Sequence, residues 1–349
     1  MSSPSPHFFA IGLLASGIGV FLTPTSAVAI EPKRVLVVTV TMGFRHSSIS
    51  AAERTLQKFA HESKDFMIVD ILRQPDIQVP QKPAPPNPLP ANATQIEKDQ
   101  FTQEELHYKK LISNWTPDIE LQTKKAQEEL NRQLALTLSK LSPAALEEAK
   151  IDGVIFANTS GELPLPDRDG FIQWIEKGHA FIGVHSAADT LRNFPAYSRM
   201  IGCEYAGHGS QTSLELTAKD TAHPAVKDIK NPWRIQQEEF SRFKDFDRTR
   251  VHDLWASSKK PNDKRPDQGE RGHFPVSWVR MHGTGKVFYT SLGHREDLWD
   301  DNKDLPSRVN WPQAANSPET SQGFQKHLLG GIRWALGLEP GDAVPQISE

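Results

Sequence analysis

The sequence predicts an α/β protein built on a doubly wound, mostly parallel sheet. Three observations carry that expectation. Short β-branched runs alternate with segments of helical spacing, the order a parallel sheet requires. Four runs, Arg34–Thr41 (RVLVVTVT), Gly153–Ala157 (GVIFA), Ala180–Val184 (AFIGV) and Gly285–Ser291 (GKVFYTS), are almost wholly apolar or β-branched, as strands covered on both faces are. Each ends in a turn bearing polar side chains, where open α/β sheets present their chemistry.

The N-terminus reads differently. Phe8–Leu22 (FFAIGLLASGIGVFL) holds only apolar and small residues, and Ala27-Val28-Ala29 follows as a small-x-small site. That order predicts a secretory signal over residues 1–29 and an exported protein, although no Lys or Arg precedes Phe8. A retained N-terminal anchor is the alternative. No cysteine follows the apolar run closely, so lipid attachment has no acceptor.

Arg34–Thr41 is the first expected strand, and Met42–Ser48 is its turn. Ile49–Ala60 has helical spacing (Ile49, Ala52, Leu56, Phe59), with Ser47 or Ser48 as N-cap. Phe66–Ile71 is the second strand and closes a β-α-β unit. Its first turn has no GxGxxG, which argues against a dinucleotide site. Pro75–Pro90 carries seven prolines and must be extended. From Thr102 to Ala149 the composition turns to Glu, Lys, Gln and Leu, with breaks at Pro117 and Pro143. Gln122–Leu138 reads as one amphipathic helix with Leu130, Leu134 and Leu138 on one face. Residues 75–140 are therefore an insertion, expected to form a solvated accessory helix.

Ser142-Pro143 opens a short helix as N-cap and first-turn proline. Gly153–Ala157, the third strand, runs into Asn158-Thr159-Ser160-Gly161-Glu162. Arg168–Lys177 is helical, with Phe171, Ile172 and Ile175 inward and Gly178 as its C-terminal cap. Ala180–Val184 is the fourth strand and stops at His185. A strand, a sharp turn and a helix start form a nucleophile elbow, here with His in place of Ser or Cys. Farther on, Tyr205–Gln211 is expected to be a Gly-rich loop around His208. Ser213–Ala218, Val251–Ala256 and Phe274–Met281 read as strands, Thr221–Val226 as a turn and Lys259–Gly272 as a charged surface loop. Gly285–Ser291 is the last strong strand, and Phe324–Leu336 the closing helix.

Composition narrows the function classes. A chain of 349 residues can bury a substantial core as one large or two ordinary domains. The formal net charge of −3 gives no electrostatic case for nucleic acid or an anionic membrane. A mean hydropathy of −0.51 excludes a multi-span membrane protein. The single cysteine, Cys203, permits no intramolecular disulfide and lies in an apolar stretch, as a buried thiol does.

In a parallel sheet the carboxyl ends of the strands share one edge. His46, Thr159, Glu162, His185, Asp189, His294 and Glu296 should therefore converge there, within reach of His208. Of the 13 histidines, His7, His61, His107 and His327 read as surface or hydrogen-bonding residues, and His223 as a turn residue before Pro224. Glu238 and Glu239 are a solvated pair by default; Glu239 is the one assigned to the site.

The motifs Gly43–Ile49 (GFRHSSI), Asn158–Leu163 (NTSGEL), Gly183–Thr190 (GVHSAADT), Tyr289–His294 (YTSLGH) and His327–Gly337 (HLLGGIRWALG) resemble those of the ThuA-like, or trehalose-utilisation, family. The resemblance covers Arg34 to Gly337 except Pro75–Leu141. It implies a class I glutamine-amidotransferase-like three-layer sandwich, related to the flavodoxin-like sheet. It also implies a setting in disaccharide and keto-sugar metabolism, often in exported proteins. In the amidotransferases of that fold, the elbow holds a Cys and a later His-x-Glu completes a triad. Here the elbow holds His185, and His294-Arg295-Glu296 stands in the later position. The nucleophile is absent, so amidotransferase activity is not expected.

Imidazoles serve as general acids and bases near pH 7 and equally as metal ligands. The favoured reading is acid–base catalysis on a disaccharide or keto-sugar by His185 and His294, oriented by Asp189 or Glu296. His46, Arg45, Thr159, Glu162, His208 and Glu239 would bind the substrate, and Trp299, Tyr205 and Trp255 could stack on sugar rings. On this reading no cofactor is required. The alternatives are a non-catalytic sugar-binding protein, or a metal-dependent hydrolase with a divalent ion on His185, His208 and His294. The expected partner is a small carbohydrate, with no nucleic acid and a membrane only through the signal segment.

Overall fold

The computed structural model describes residues 1–2, 31–257, 273–300 and 314–346. The expected signal segment (Phe8–Leu22 with Ala27–Ala29) and the Lys259–Gly272 loop lie outside the described residues. Contacts divide the chain into Met1–Glu31 and Pro32–Glu349, and the sheet and its helices belong to the second unit. No helix among the described residues is long and apolar enough to cross a membrane.

Among the described residues, nine strands form one mixed sheet. Its parallel half consists of β1 (Lys33–Val38), β2 (Phe66–Leu72), β3 (Gly153–Ala157), β4 (Ala180–Val184) and β11 (Gly285–Thr290), in the order β2-β1-β3-β4-β11. In chain order that is 2-1-3-4-5, the strand order of flavodoxin-like sheets. Four antiparallel strands extend the sheet in the order β10 (Phe274–His282), β9 (His252–Ser257), β6 (Thr212–Ala218) and β7 (Trp233–Glu238). A separate antiparallel pair joins β5 (Glu204–His208) to β8 (Ser241–Lys244).

Two elements correct the sequence reading. The expected Gly-rich loop at Tyr205 belongs to strand β5, which ends at His208, because β8 supplies backbone partners distant in sequence. The paired carboxylates lie at the end of a strand, β7, whose alternation of Trp233 and Ile235 inward is short and easily read as a loop.

Alternation of side chains sorts the core into two layers. Val35, Val37, Ile155, Ala157, Ile182, Val184 and Phe288 face one side. There they meet α1 (Ile49–Ser63) through Ala52, Leu56 and Phe59, and α8 (Pro318–Ala335) through Phe324, Leu328 and Ile332. Leu36, Val38, Val154, Phe156, Phe181 and Tyr289 face the other side. That layer is completed by the end of α3 (Pro117–Leu138), by α4 (Pro143–Glu148), α5 (Arg168–Glu176) and α6 (Pro195–Ile201). Helices thus cover both faces, and each wholly apolar strand is explained by burial on both. Cys203 is packed in the second layer as a small hydrophobe.

The 75–140 segment connects β2 to β3. After the proline-rich stretch comes α2 (Gln95–Ser113), capped by a reciprocal Thr94–Glu97 box and burying no residue. The α3 helix starts at Pro117, earlier than the Gln122 expected, because Thr116 caps it and proline is accommodated in the first turn. Its last turns carry Leu134 and Leu138 into the core. Ser142 caps α4 through the Ala145 N–H, as expected.

Candidate functional site

Four strand-end turns meet at the carboxyl edge of the parallel half. Those after β1, β3 and β11 are tied by a buried network centred on the Gly293 carbonyl, which accepts from Ser48 Oγ (3.0 Å), Asn158 Nδ2 (3.1 Å) and Trp299 Nε1 (2.8 Å). Asn158 Nδ2 also donates to Ser48 Oγ at 2.7 Å. Ser48 stands at the N-cap position of α1 but does not cap it, because its hydroxyl is engaged by this network.

His185 begins a short 3-10 helix with φ of +53°, the strained conformation of an elbow. For a side chain with a Cβ that conformation costs about 1–2 kcal/mol. Strand β11 and its exit hold it: Tyr289 Oη donates to the His185 carbonyl at 2.8 Å, and His185 Nδ1 donates to the Ser291 carbonyl at 3.0 Å. The second bond fixes the tautomer, leaving an Nε2 lone pair aimed into the site.

That Nε2 lies 3.1 Å from His46 Nε2, and His46 Nδ1 is 3.4 Å from Ser186 Oγ. His294 completes the group. The three rings stand nearly perpendicular to one another: the His46–His185 centroids are 4.5 Å apart, His46–His294 5.2 Å and His185–His294 5.3 Å. One ring nitrogen from each lies within 4.8 Å of the others. Glu239, carried in by the tight link from β7 to β8, touches three histidines. Its Oε2 is 3.1 Å from His208 Nδ1 and 3.2 Å from His294 Nδ1, and its Oε1 is 3.9 Å from His185 Nε2. Glu238 turns the opposite way and accepts the backbone N–H groups of His294 and Arg295.

Burial sets the charge states. It lowers His46 to about 3 and His294 to about 4, in both cases helped by neighbouring imidazoles. His185 is pushed well below the ordinary value for the same reasons. Burial acts on the carboxylates in the opposite sense. Glu239 is raised to about 7, with His208 opposing and Asp189 reinforcing, and Glu238 to about 8 despite backbone donors at Glu239, His294 and Arg295. The cluster therefore holds neutral imidazoles beside a carboxyl group that titrates near neutrality.

A cleft of about 670 Å³ opens beside the cluster, lined by Phe44, Arg45, His46, Glu53, Arg73, Gln74 and His294 among others. Phe44 is 68% exposed at its rim, edge-on to His46. Sequence alone does not point to Phe44, Glu53, Arg73 and Gln74, because two loops and the helix α1 that carry them do not announce a shared cavity. Nor does it point to Ser291, which acts through a backbone carbonyl. The FRH run of the first turn is the available signal for Phe44.

The expected residues divide. The structure brings together His46, His185, His294, His208 and Glu239, and places Arg45 on the cleft with its guanidinium donating to the Thr39 carbonyl. Among the described residues, the carboxylate against His294 is Glu239. Glu296 starts α7 (Glu296–Trp299), whose first turn carries it into the interior with no accessible surface. Asp189 pairs with Arg192 at 3.0 Å. Thr159 is fully buried against the Thr190 hydroxyl, and Glu162 accepts from the Asn193 N–H and Arg168, away from the imidazoles. Among the described residues, His208 reaches the cluster through Glu239, and the three converging imidazoles are His46, His185 and His294. Trp255 and Trp299 are fully buried in the core, and Tyr205 lies under the Arg192 guanidinium. The lone thiol is no nucleophile: Cys203 is fully enclosed and burial pushes it well above its ordinary value.

Fold and site together define an α/β protein with an imidazole, His185, on the sharp turn after β4. The chain belongs to the ThuA (trehalose utilisation) family, whose model matches residues 34–305, and so to a family of carbohydrate use. Two solved structures share the fold. A ThuA-like protein from Bacteroides uniformis is 16% identical with a TM-score of 0.52, covering 90% of this chain and 95% of that one. A ThuA-like protein from Parabacteroides merdae is 15% identical with a TM-score of 0.51, covering 87% and 90%. No curated protein matches the sequence.

Proposed function

We propose that this chain is an exported carbohydrate enzyme that moves a proton on a disaccharide or its keto derivative. The observation that carries the reading is the contact of one sequestered carboxylate, Glu239, with three imidazoles beside an open, sugar-sized cleft. On the keto derivative, Glu239 takes or returns the proton at the carbon next to the carbonyl group. The imidazole cluster faces the carbonyl oxygen, where negative charge develops. Phe44 offers its ring to a sugar face at the rim. Trehalose utilisation supports the substrate class, and the apolar run before Ala29 supports export. The flavodoxin-like strand order and the elbow at His185 support a class I glutamine-amidotransferase-like scaffold. With His185 at the elbow and Cys203 enclosed, acyl transfer has no nucleophile there.

The proton-transferring role thereby passes from His185 and His294 to Glu239, because the buried imidazoles are poor proton acceptors near pH 7. The test is turnover of trehalose and keto-disaccharides by the purified full chain. Glu239→Gln keeps size and packing and is expected to lower kcat by about 10²–10⁴. Saturable sugar binding without turnover in the unmodified protein would replace this reading with a sugar-binding one. Undiminished turnover in both Glu239→Gln and His294→Ala would remove Glu239 and the cluster from the chemistry.

A further inference from the structure

We propose that His46, His185 and His294 hold a divalent transition-metal ion, with zinc the best match to three imidazole donors. The site goes beyond the proton-transfer reading and does not depend on the identity of the sugar. Three features of geometry support it. First, one nitrogen from each ring lies within 4.8 Å of the others, and no two of the three residues are close in sequence. Second, the Nε2 atoms of His46 and His185 face each other at 3.1 Å. Two nitrogens bound tetrahedrally to one zinc at the usual bond length stand about 3.4 Å apart, so the observed spacing is close to that of a shared ion. Third, the rings are mutually edge-to-face, with interplanar angles of 83°, 84° and 76°, as three ligands converging from different directions are.

The surroundings fit the same donor set. The Ser291 carbonyl accepts a hydrogen bond from the His185 Nδ1–H and so turns the Nε2 lone pair toward the ion. Ligand histidines are oriented by outer carbonyl or carboxylate partners of this kind. Each of the three ligands comes from the turn after a different strand of the parallel half, β1, β4 and β11, so the sheet edge pre-organises them. Glu239 pairs with His294 Nδ1 at 3.2 Å and stands 3.9 Å from His185 Nε2, as an outer carboxylate partner does. Three histidines with a glutamate alongside match the donor set of catalytic rather than structural zinc sites. When bound, such an ion supplies Lewis-acid stabilisation of a carbonyl oxygen.

The experiment uses the full chain, freed of metal with a chelator and desalted, and titrates zinc by calorimetry in the absence of sugar. One ion per chain is expected. His46→Ala, at the cleft, should weaken binding by more than the roughly 10–100-fold that loss of an outer partner costs. His208→Ala should bind zinc as the unmodified chain does. Cobalt provides a second readout: its visible spectrum should show nitrogen coordination in the unmodified chain and lose it in His46→Ala. His185→Ala tests the third direction where circular dichroism shows it folded, and His46→Ala decides the matter if it does not fold. The proposal is overturned if the unmodified chain binds no zinc stoichiometrically, or if His46→Ala binds it unchanged. Because the readout is metal bound, its outcome is independent of whether Glu239→Gln retains turnover.

Discussion

His185 shows how one residue is fixed by its surroundings. Its backbone takes a left-handed conformation while β11 and its exit grip both its carbonyl oxygen and its ring. The same exit passes through Gly293, whose φ of +128° no side chain adopts comfortably. A Cβ there would stand 3.2 Å from Trp299 Cζ2 and 3.3 Å from both His185 Cβ and Val184 Cγ1. Gly293→Ala is therefore expected to cost roughly 1–3 kcal/mol and to displace the His185 ring. Thermal unfolding reads the first effect and turnover the second; a variant matching the parent in both would refute the account. At this scale the sequence places His46, His185 and His294 at strand ends, because His185 follows its apolar run directly and the other two lie in the short turns after theirs. It does not reveal that Glu239 is the carboxylate they share, since the nearer acidic residues in sequence, Asp189 and Glu296, face Arg192 and the interior.

At the scale of elements, the connection between β2 and β3 divides into two behaviours. The α2 helix buries nothing and has its own capping box, whereas α3 places Leu134 and Leu138 beneath the sheet with no exposed surface. Leu134→Ala and Leu138→Ala are each expected to destabilise by about 2–5 kcal/mol. Leu106→Ala, on the exposed face of α2, should change stability by no more than about 0.5 kcal/mol. Denaturant unfolding of the three variants checks the contrast, and equal effects at positions 106 and 134 would contradict it. The parallel strands are legible because burial on both faces leaves wholly apolar sequence. Strands β5, β7 and β8 are not, because they are short and half exposed, and their backbone partners lie far away in the chain.

Across the whole molecule, neutral histidines are built into the packing away from the site as well. His327 has no exposed surface, donates from Nδ1 to the Ala225 carbonyl at 2.8 Å, and packs against Phe288 and Trp233. Burial lowers it to about 4, so the folded state binds fewer protons than the unfolded chain between that value and the ordinary 6.5. Its contribution is fully present above pH 6.5 and is lost as the pH falls toward 4. The interval corresponds to about 3 kcal/mol in the limit of full burial. His327→Gln should lower the Tm at pH 7.5, where the histidine is favourable, and reduce the further fall between pH 6.5 and 4. An unchanged acid slope in that variant would assign the sensitivity to other groups.

The sequence by itself determined the alternation of strands and helices, the polar ends of the parallel strands and the histidine at the elbow. Each of those depends on residues close together in the chain: apolar period, capping residues and the break at a strand end. Only the tertiary structure decided which groups meet. His46 joined His185 and His294 in place of His208, Glu239 became their carboxylate, and Phe44 became the exposed aromatic ring at the cleft. Those choices follow from sheet order and from where β5, β7 and β8 cross the edge, and they join residues up to 248 positions apart (His46 to His294). Local pattern cannot encode such pairings, because the energy that selects them is that of burying both faces of the sheet together.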